Sequence, residues 1–186
     1  MTRYLVLLRG INVGGRNKVP MAAPHDLLES HGHTKVSTYI ASGNVILSSD
    51  RSAAAIKREL EDALPDAFKL DSELIAVLVL TQAQLRAVVR GRPKGFGDHP
   101  GTYNSDAVFL MGIDAPTAMK VFDPQPGVDA VWPGKGVIYS QRLSAERTRT
   151  RLGKIVGTPA YRSMTIRSWA TTMALLERME AGPSDS

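Results

Sequence analysis

The stretch KVSTYIASGNVILS, residues 35–48, sets the fold class. Two β-prone runs, 35–40 and 44–48, flank Ala41, Ser42 and Gly43, and a short glycine-containing break between such runs reads as a hairpin. Upstream, residues 4–8 form an apolar strand, and residues 24–31 form a short helix with Pro24 in its first turn and Gly32 past its end. Downstream, Ala53, Ile56, Leu60 and Leu64 recur at helical spacing until Pro65, and residues 74–80 are a continuous apolar run of strand length. Strand, helix, strand, strand, helix, strand is the split βαβ order of a ferredoxin-like sheet. Thr81 and Gln84 then have the spacing of a capping box, which starts a further helix ending before Gly91.

The second half begins in the same way. A strand over 107–111 precedes a helix from Asp114, its N-cap, through Phe122. A hairpin follows over 128–132 and 137–140, then a helix over 144–156, an extended piece at 164–166, and a helix over 168–179. The fold class expected is therefore α+β: two ferredoxin-like subdomains, with mainly antiparallel sheets and helices packed on them. Residues 1–95 form the first and residues 104–186 the second, joined by a Gly/Pro-rich connection over 96–103.

Composition excludes several chemistries. The 186 residues are 43% hydrophobic and 22% charged, the balance of a globular chain. Cysteine is absent, which excludes disulfides, thiolate-bound metals and a thiol nucleophile, and agrees with a cytoplasmic setting. The apolar runs are too short to span a bilayer or to form a signal-peptide core, so no membrane partner is expected. His31 and His33 flank Gly32, but no ligand spacing for a metal accompanies them. Glu59, Glu61, Asp62 and Asp66 read as the solvent face of a helix and its exit, and no catalytic carboxylate pair or serine motif stands out. No cofactor is indicated.

Two features carry candidate chemistry. After the first strand, Arg9, Asn12, Gly14, Gly15, Arg16, Asn17 and Lys18 combine cations, glycines and amides, as an anion cradle of backbone N–H groups requires. A P-loop is excluded, because Arg16 stands where lysine is needed and Asn17 where a hydroxyl would hold magnesium. The plain alternative is a basic surface loop whose glycines supply unusual φ angles. The polar tip at Ser42, Gly43 and Asn44 either approaches a ligand or serves only as a hairpin turn.

The second feature is charge: residues 135–167 carry a net +7, more than the +5 of the whole chain. On a helix, Arg147, Arg151 and Lys154 share one face, with Arg162 and Arg167 beyond and Tyr139, Tyr161 and Trp169 available to stack. Such a stripe serves as a solvated face, a phosphate or nucleic-acid contact, or a surface for an acidic protein.

The residues 8–21, LRGINVGGRNKVPM, with 38–45, TYIASGNV, resemble the opening of the family called domain of unknown function 1697. Residues 162–169, RSMTIRSW, resemble that family's Thr-x-Arg-Asn-Trp segment, with Ser168 and Ala170 as departures where the family usually or often has Asn. The resemblance implies a bacterial-type α+β protein of ferredoxin-like subdomains, and it does not imply an activity. Its signature positions coincide with the glycine loop, the hairpin turn and the basic segment.

These features predict binding of a small anionic or phosphate-bearing ligand in a cleft between two subdomains. Arg9, Arg16 and Lys18 supply charge, Asn12, Gly14, Gly15 and Ser42 to Asn44 supply hydrogen bonds, and Arg147, Arg151, Arg167 and Trp169 face them. The alternatives are nucleic-acid binding without sequence preference, and an enzyme acting on a phosphorylated or nucleotide substrate, for which no nucleophile or base is legible.

Overall fold

Tyr4, Val6 and Leu8 alternate along β1 (Thr2–Arg9), and that period of two directs them to one face of a sheet. The computed structural model describes residues 1–12, 17–40, 43–70 and 75–182. In chain order the first unit contains β1, α1 (Ala22–Ser30), β2 (Thr34–Tyr39), β3 (Asn44–Ser49), α2 (Ala53–Phe68) and β4 (Ala76–Thr81). Its four-stranded antiparallel sheet has the order β2-β3-β1-β4, with Val6 opposite Val45 on one side and Val79 on the other. Leu28 of α1 and Ile56, Leu60 and Leu64 of α2 close over that face. Each such side chain contributes about 1.5–3 kcal/mol when fully buried.

Ser52 caps α2 by accepting from the Ala55 N–H at 3.2 Å. The helix does not stop at Pro65, as the sequence pattern predicts, but runs one turn further to Phe68. Phe68 and Leu70 pack against the same core, which offsets the hydrogen bond that proline removes. Lys69 then ends the helix in the left-handed region, φ 51°, its N–H donating to the Pro65 carbonyl.

Glu59 also departs from its expected place on a solvent face. Its Oε1 lies 2.9 Å from His31 Nδ1 and 3.0 Å from His33 Nε2, and Arg51 pairs with its other oxygen. His33 is buried and its Nδ1 has no partner, so burial first, then Arg51 and His31, hold it below the ordinary histidine range. Among the described residues no cluster suits a metal ion, in keeping with the guanidinium inside this one.

The second unit contains β5 (Tyr103–Leu110), α4 (Ala115–Met119), β6 (Asp129–Gly134), β7 (Val137–Leu143) and β8 (Met164–Ser168). Its antiparallel sheet has the order β6-β7-β5-β8. The predicted helix over 144–156 is absent. In its place the chain makes 3-10 turns at Ser144–Glu146 and Leu152–Gly157, followed by another at Pro159–Ser163. Two causes combine: Thr148, Thr150, Gly153 and Gly157 are poor helix formers, and the distant Asp129 captures the Arg151 N–H at 2.8 Å that a helix would need. Arg147, Arg151 and Lys154 therefore share no helical face.

The other side of this sheet is aromatic. Phe96 meets Tyr139, Trp169 and Trp132 edge-on at 5.3, 5.1 and 6.0 Å between ring centroids. The Tyr139 hydroxyl donates to the Val88 carbonyl at 2.6 Å. Two further helices, α3 (Gln82–Arg90) and α5 (Trp169–Ala181), cross the division of the chain, which gives Met1–Leu85 with Leu175–Ser186 to one unit and Arg86–Ala174 to the other. The capping box stands as predicted, with the Thr81 N–H donating to Gln84 Oε1 at 2.8 Å and the Gln84 N–H to Thr81 Oγ1 at 3.2 Å. Among the described residues, no helix is long and apolar enough to cross a membrane.

Gly97 has φ 78°, and a Cβ there would lie 2.2 Å from the Trp169 ring. Gly97→Ala is expected to cost about 2–4 kcal/mol in urea unfolding, from left-handed strain plus overpacking. His33, held below its unfolded value, contributes stability that is fully present above that value of about 6.5 and is lost below it, as pH falls through the lower folded value. The gap in unfolding free energy between wild type and His33→Gln is therefore expected to narrow from pH 7.5 to pH 5.5.

Candidate functional site

The glycine loop is closed by its own amides. Asn12 and Asn17 adopt φ 53° and 47°, and the Asn12 N–H donates to the Asn17 carbonyl at 2.9 Å. The Asn12 side chain accepts from the Val19 N–H at 2.8 Å and donates to the Val19 carbonyl at 3.0 Å, as a strand neighbour would. Asn17 Nδ2 donates to the Gly10 carbonyl at 2.8 Å. These amides fasten the base of the loop. Gly14, Gly15 and Arg16, on which the anion cradle chiefly rests, lie outside the described residues, as does Ser42.

Gly43 and Asn44 are buried rather than presented at a tip. The Gly43 carbonyl accepts from the Leu8 N–H at 2.8 Å, and a Cβ at Gly43 would stand 2.9 Å from the Leu8 carbonyl oxygen. Asn44 Nδ2 donates to the Tyr39 carbonyl at 3.0 Å. The loop base and the hairpin turn thus meet at the end of β1, where Arg9 is half-buried opposite Ala76 and Lys18 is exposed.

In the second unit the expected cations separate. Arg147 is exposed, and Arg149 pairs with Glu146 at 3.2 Å. Arg151 and Lys154 both reach Asp123 at 3.4 Å. Arg167 is buried on β8, donating to Thr165 Oγ1 and to the Ile166 carbonyl at 2.9 Å each, and desolvation pushes it down to about 10. It aligns with Ala107 and Tyr139 across the sheet, on the aromatic face. Trp169 is core, 5% exposed and wedged against Phe96 and Gly97.

The opposite face of that sheet holds an arrangement absent from the expected site. Asp106 on β5 is in phase with Val108 and Leu110, and Ser140 and Arg142 on β7 are in phase with Ile138, so all three polar residues share the core face. They line a pocket of about 120 Å³ with Val108 and Ile166 beneath and Leu152, Ile155 and Val156 of the 3-10 turn above.

Among the described residues, the side chains of Asp106, Ser140 and Arg142 make no hydrogen bond or ion pair, and Arg142 Nε is buried without a partner. Burial raises the Asp106 carboxyl above its ordinary range, against the opposing pull of Arg142. Asp129 on β6 shows the contrary balance. Burial would raise it, but the Thr150 hydroxyl and the Arg151 and Gln125 N–H groups, with Arg142 nearby, hold it low. A period-two reading extended to residues 104–110 and 137–143 contains the signal for this pocket; starting the first strand at Ala107 leaves Asp106 outside it.

A carboxyl raised by burial opposes folding at neutral pH, and its stabilising, protonated form is lost as pH rises through its folded value. Asp106→Asn is therefore expected to raise the melting temperature of the free protein at pH 7 and to leave it less changed at pH 4.5, as read by calorimetry.

The chain is similar to a solved conserved bacterial protein from Streptococcus pneumoniae, with 27% identity and a TM-score of 0.79 over 96% of this chain and 98% of that one. No curated protein matches it. The departures at Ser168 and Ala170 fall beyond the segment in which the family match lies, residues 1–139. That match extends from β1 into β7 and includes the glycine loop, the hairpin turn and Asp106, and by it the chain belongs to the family described as Protein of unknown function (DUF1697).

Proposed function

We propose that this protein binds a small ligand carrying an anionic group, carboxylate or phosphate, in the pocket over β5, β7 and β8, with Arg142 as the anion's contact. The observation that carries this reading is the Arg142 side chain, which lines the pocket and makes no ion pair among the described residues, while Arg149, Arg151 and Lys154 are each paired with an acid. A guanidinium presents a rigid donor fork to such groups. The volume of about 120 Å³ favours small acids, since larger ligands occupy pockets of roughly 300–1,000 Å³. We also read each unit as ferredoxin-like, on the strand orders β4-β1-β3-β2 and β8-β5-β7-β6, with 3-10 turns in place of the second helix in the latter.

Titration of ¹⁵N-labelled protein with isobutyrate, and separately with inorganic phosphate, tests the reading. Saturable shifts at 106–108, 140–142 and 152–156 are expected, and Arg142→Met should abolish them while circular dichroism stays unchanged. Saturation elsewhere, or shifts that survive Arg142→Met, would place the anion away from this pocket.

A further inference from the structure

A lone anion satisfies only half of this pocket. Asp106 and Ser140 are directly opposed across β5 and β7, and Arg142 lies one diagonal step away, opposite Asn104 on β5 and opposite Asp129 on β6, whose carboxylate is already held by three hydrogen bonds. Side chains in that relation start from Cβ atoms roughly 7–8 Å apart and are within mutual reach when long. Asp106 and Arg142 nevertheless form no ion pair, and the pocket lies at both. Burial raises the Asp106 carboxyl, and Arg142 offsets that only in part.

A simple anion beside Arg142 would also meet the Asp106 carboxylate, and a simple cation beside Asp106 would meet the guanidinium. A ligand bearing both charges meets neither penalty. The remaining lining is aliphatic, Val108, Leu152, Ile155 and Ile166, with no aromatic ring on which a base or sugar would stack.

We infer that the pocket takes a small aliphatic zwitterion of the amino-acid class, its ammonium on Asp106 and Ser140, its carboxylate on Arg142, and its apolar body against Val108, Ile155 and Ile166. This rests on the reading of the pocket as an anion site and narrows it to one substrate chemistry. Ser140 adds a hydroxyl acceptor beside the carboxylate, so two of the three ammonium protons find partners on the sheet. The zwitterion brings no net charge, and its binding is correspondingly insensitive to salt beyond the screening of each contact.

Calorimetric titration of wild type, Asp106→Asn and Arg142→Met with glycine, β-alanine, γ-aminobutyrate, L-valine, isobutyrate and isobutylamine tests the inference. At least one zwitterion is expected to bind wild type about tenfold or more tighter than isobutyrate and isobutylamine, as two charge-assisted contacts exceed one. Asp106→Asn should erase that preference while isobutyrate binds as well as before or better, and Arg142→Met should remove every carboxylate. If isobutyrate equals the best zwitterion, or Asp106→Asn leaves the zwitterion's affinity unchanged, the inference is overturned and the anion site stands. If none of the six binds, both fall.

Discussion

The carboxylate of Asp129 holds the roof of the second unit in place. One oxygen accepts from the Thr150 hydroxyl at 2.6 Å, and the other accepts the N–H groups of Arg151 at 2.8 Å and Gln125 at 2.9 Å. These contacts fix the chain as it leaves β7 and stop residues 150 and 151 from entering a helix. Leu152 and Ile155 are delivered to the sheet from that anchor and close the core over Val108 and Ile138. Three charge-assisted bonds on one carboxylate are individually stronger than neutral ones, and together they specify one path for a segment with little helical propensity.

The two sheets show what that path changes. In the first unit a sixteen-residue helix lays Ile56, Leu60 and Leu64 along the sheet, and the strand residues beneath it are Tyr4, Val6, Leu8, Val45, Leu47, Val77 and Val79. That apolar stripe is continuous beneath the helix. In the second unit a six-residue 3-10 turn contributes only Leu152 and Ile155 as buried residues. Its tighter rise and threefold repeat present a shorter apolar edge than a helix of the same span. Beyond that edge β5 carries Asp106 and β7 carries Ser140 and Arg142. Incomplete roofing and polar strand positions occur together, and the pocket lies where they coincide.

Much of the fold was legible because its signals are local. The hairpin over residues 35–48, the capping box at Thr81 and Gln84, and the cap at Asp114, which accepts the Thr117 N–H at 2.8 Å, depend on residues within a few positions of one another. What was not legible depends on partners distant in sequence. The helical spacing of Arg147, Arg151 and Lys154 is real in the sequence, but an aspartate twenty-two positions upstream takes the Arg151 N–H. Glu59 has the helical phase of a surface residue, yet His31, His33 and Arg51 converge on it from outside the helix. Pro65 carries a stop signal that the packing of Phe68 overrides. For the site, the loop amides Asn12 and Asn17 were legible as important, while their use as internal fasteners depends on φ angles that the sequence does not print.

Charge in the second unit divides by partner rather than by sign. Asp129 has three hydrogen bonds, Asp123 meets two cations, and Arg167 is held by Thr165 and a carbonyl of its own strand. Against that background Asp106 and Arg142, which form no hydrogen bond or ion pair among the described residues, are exceptions on one face of one sheet. A core under selection for stability alone removes such groups, because apolar residues of similar volume are neutral or stabilising in their place. The proposed site rests on their position beside a cavity instead of within a packed and satisfied network, where a complementary molecule would offset their cost in the free protein.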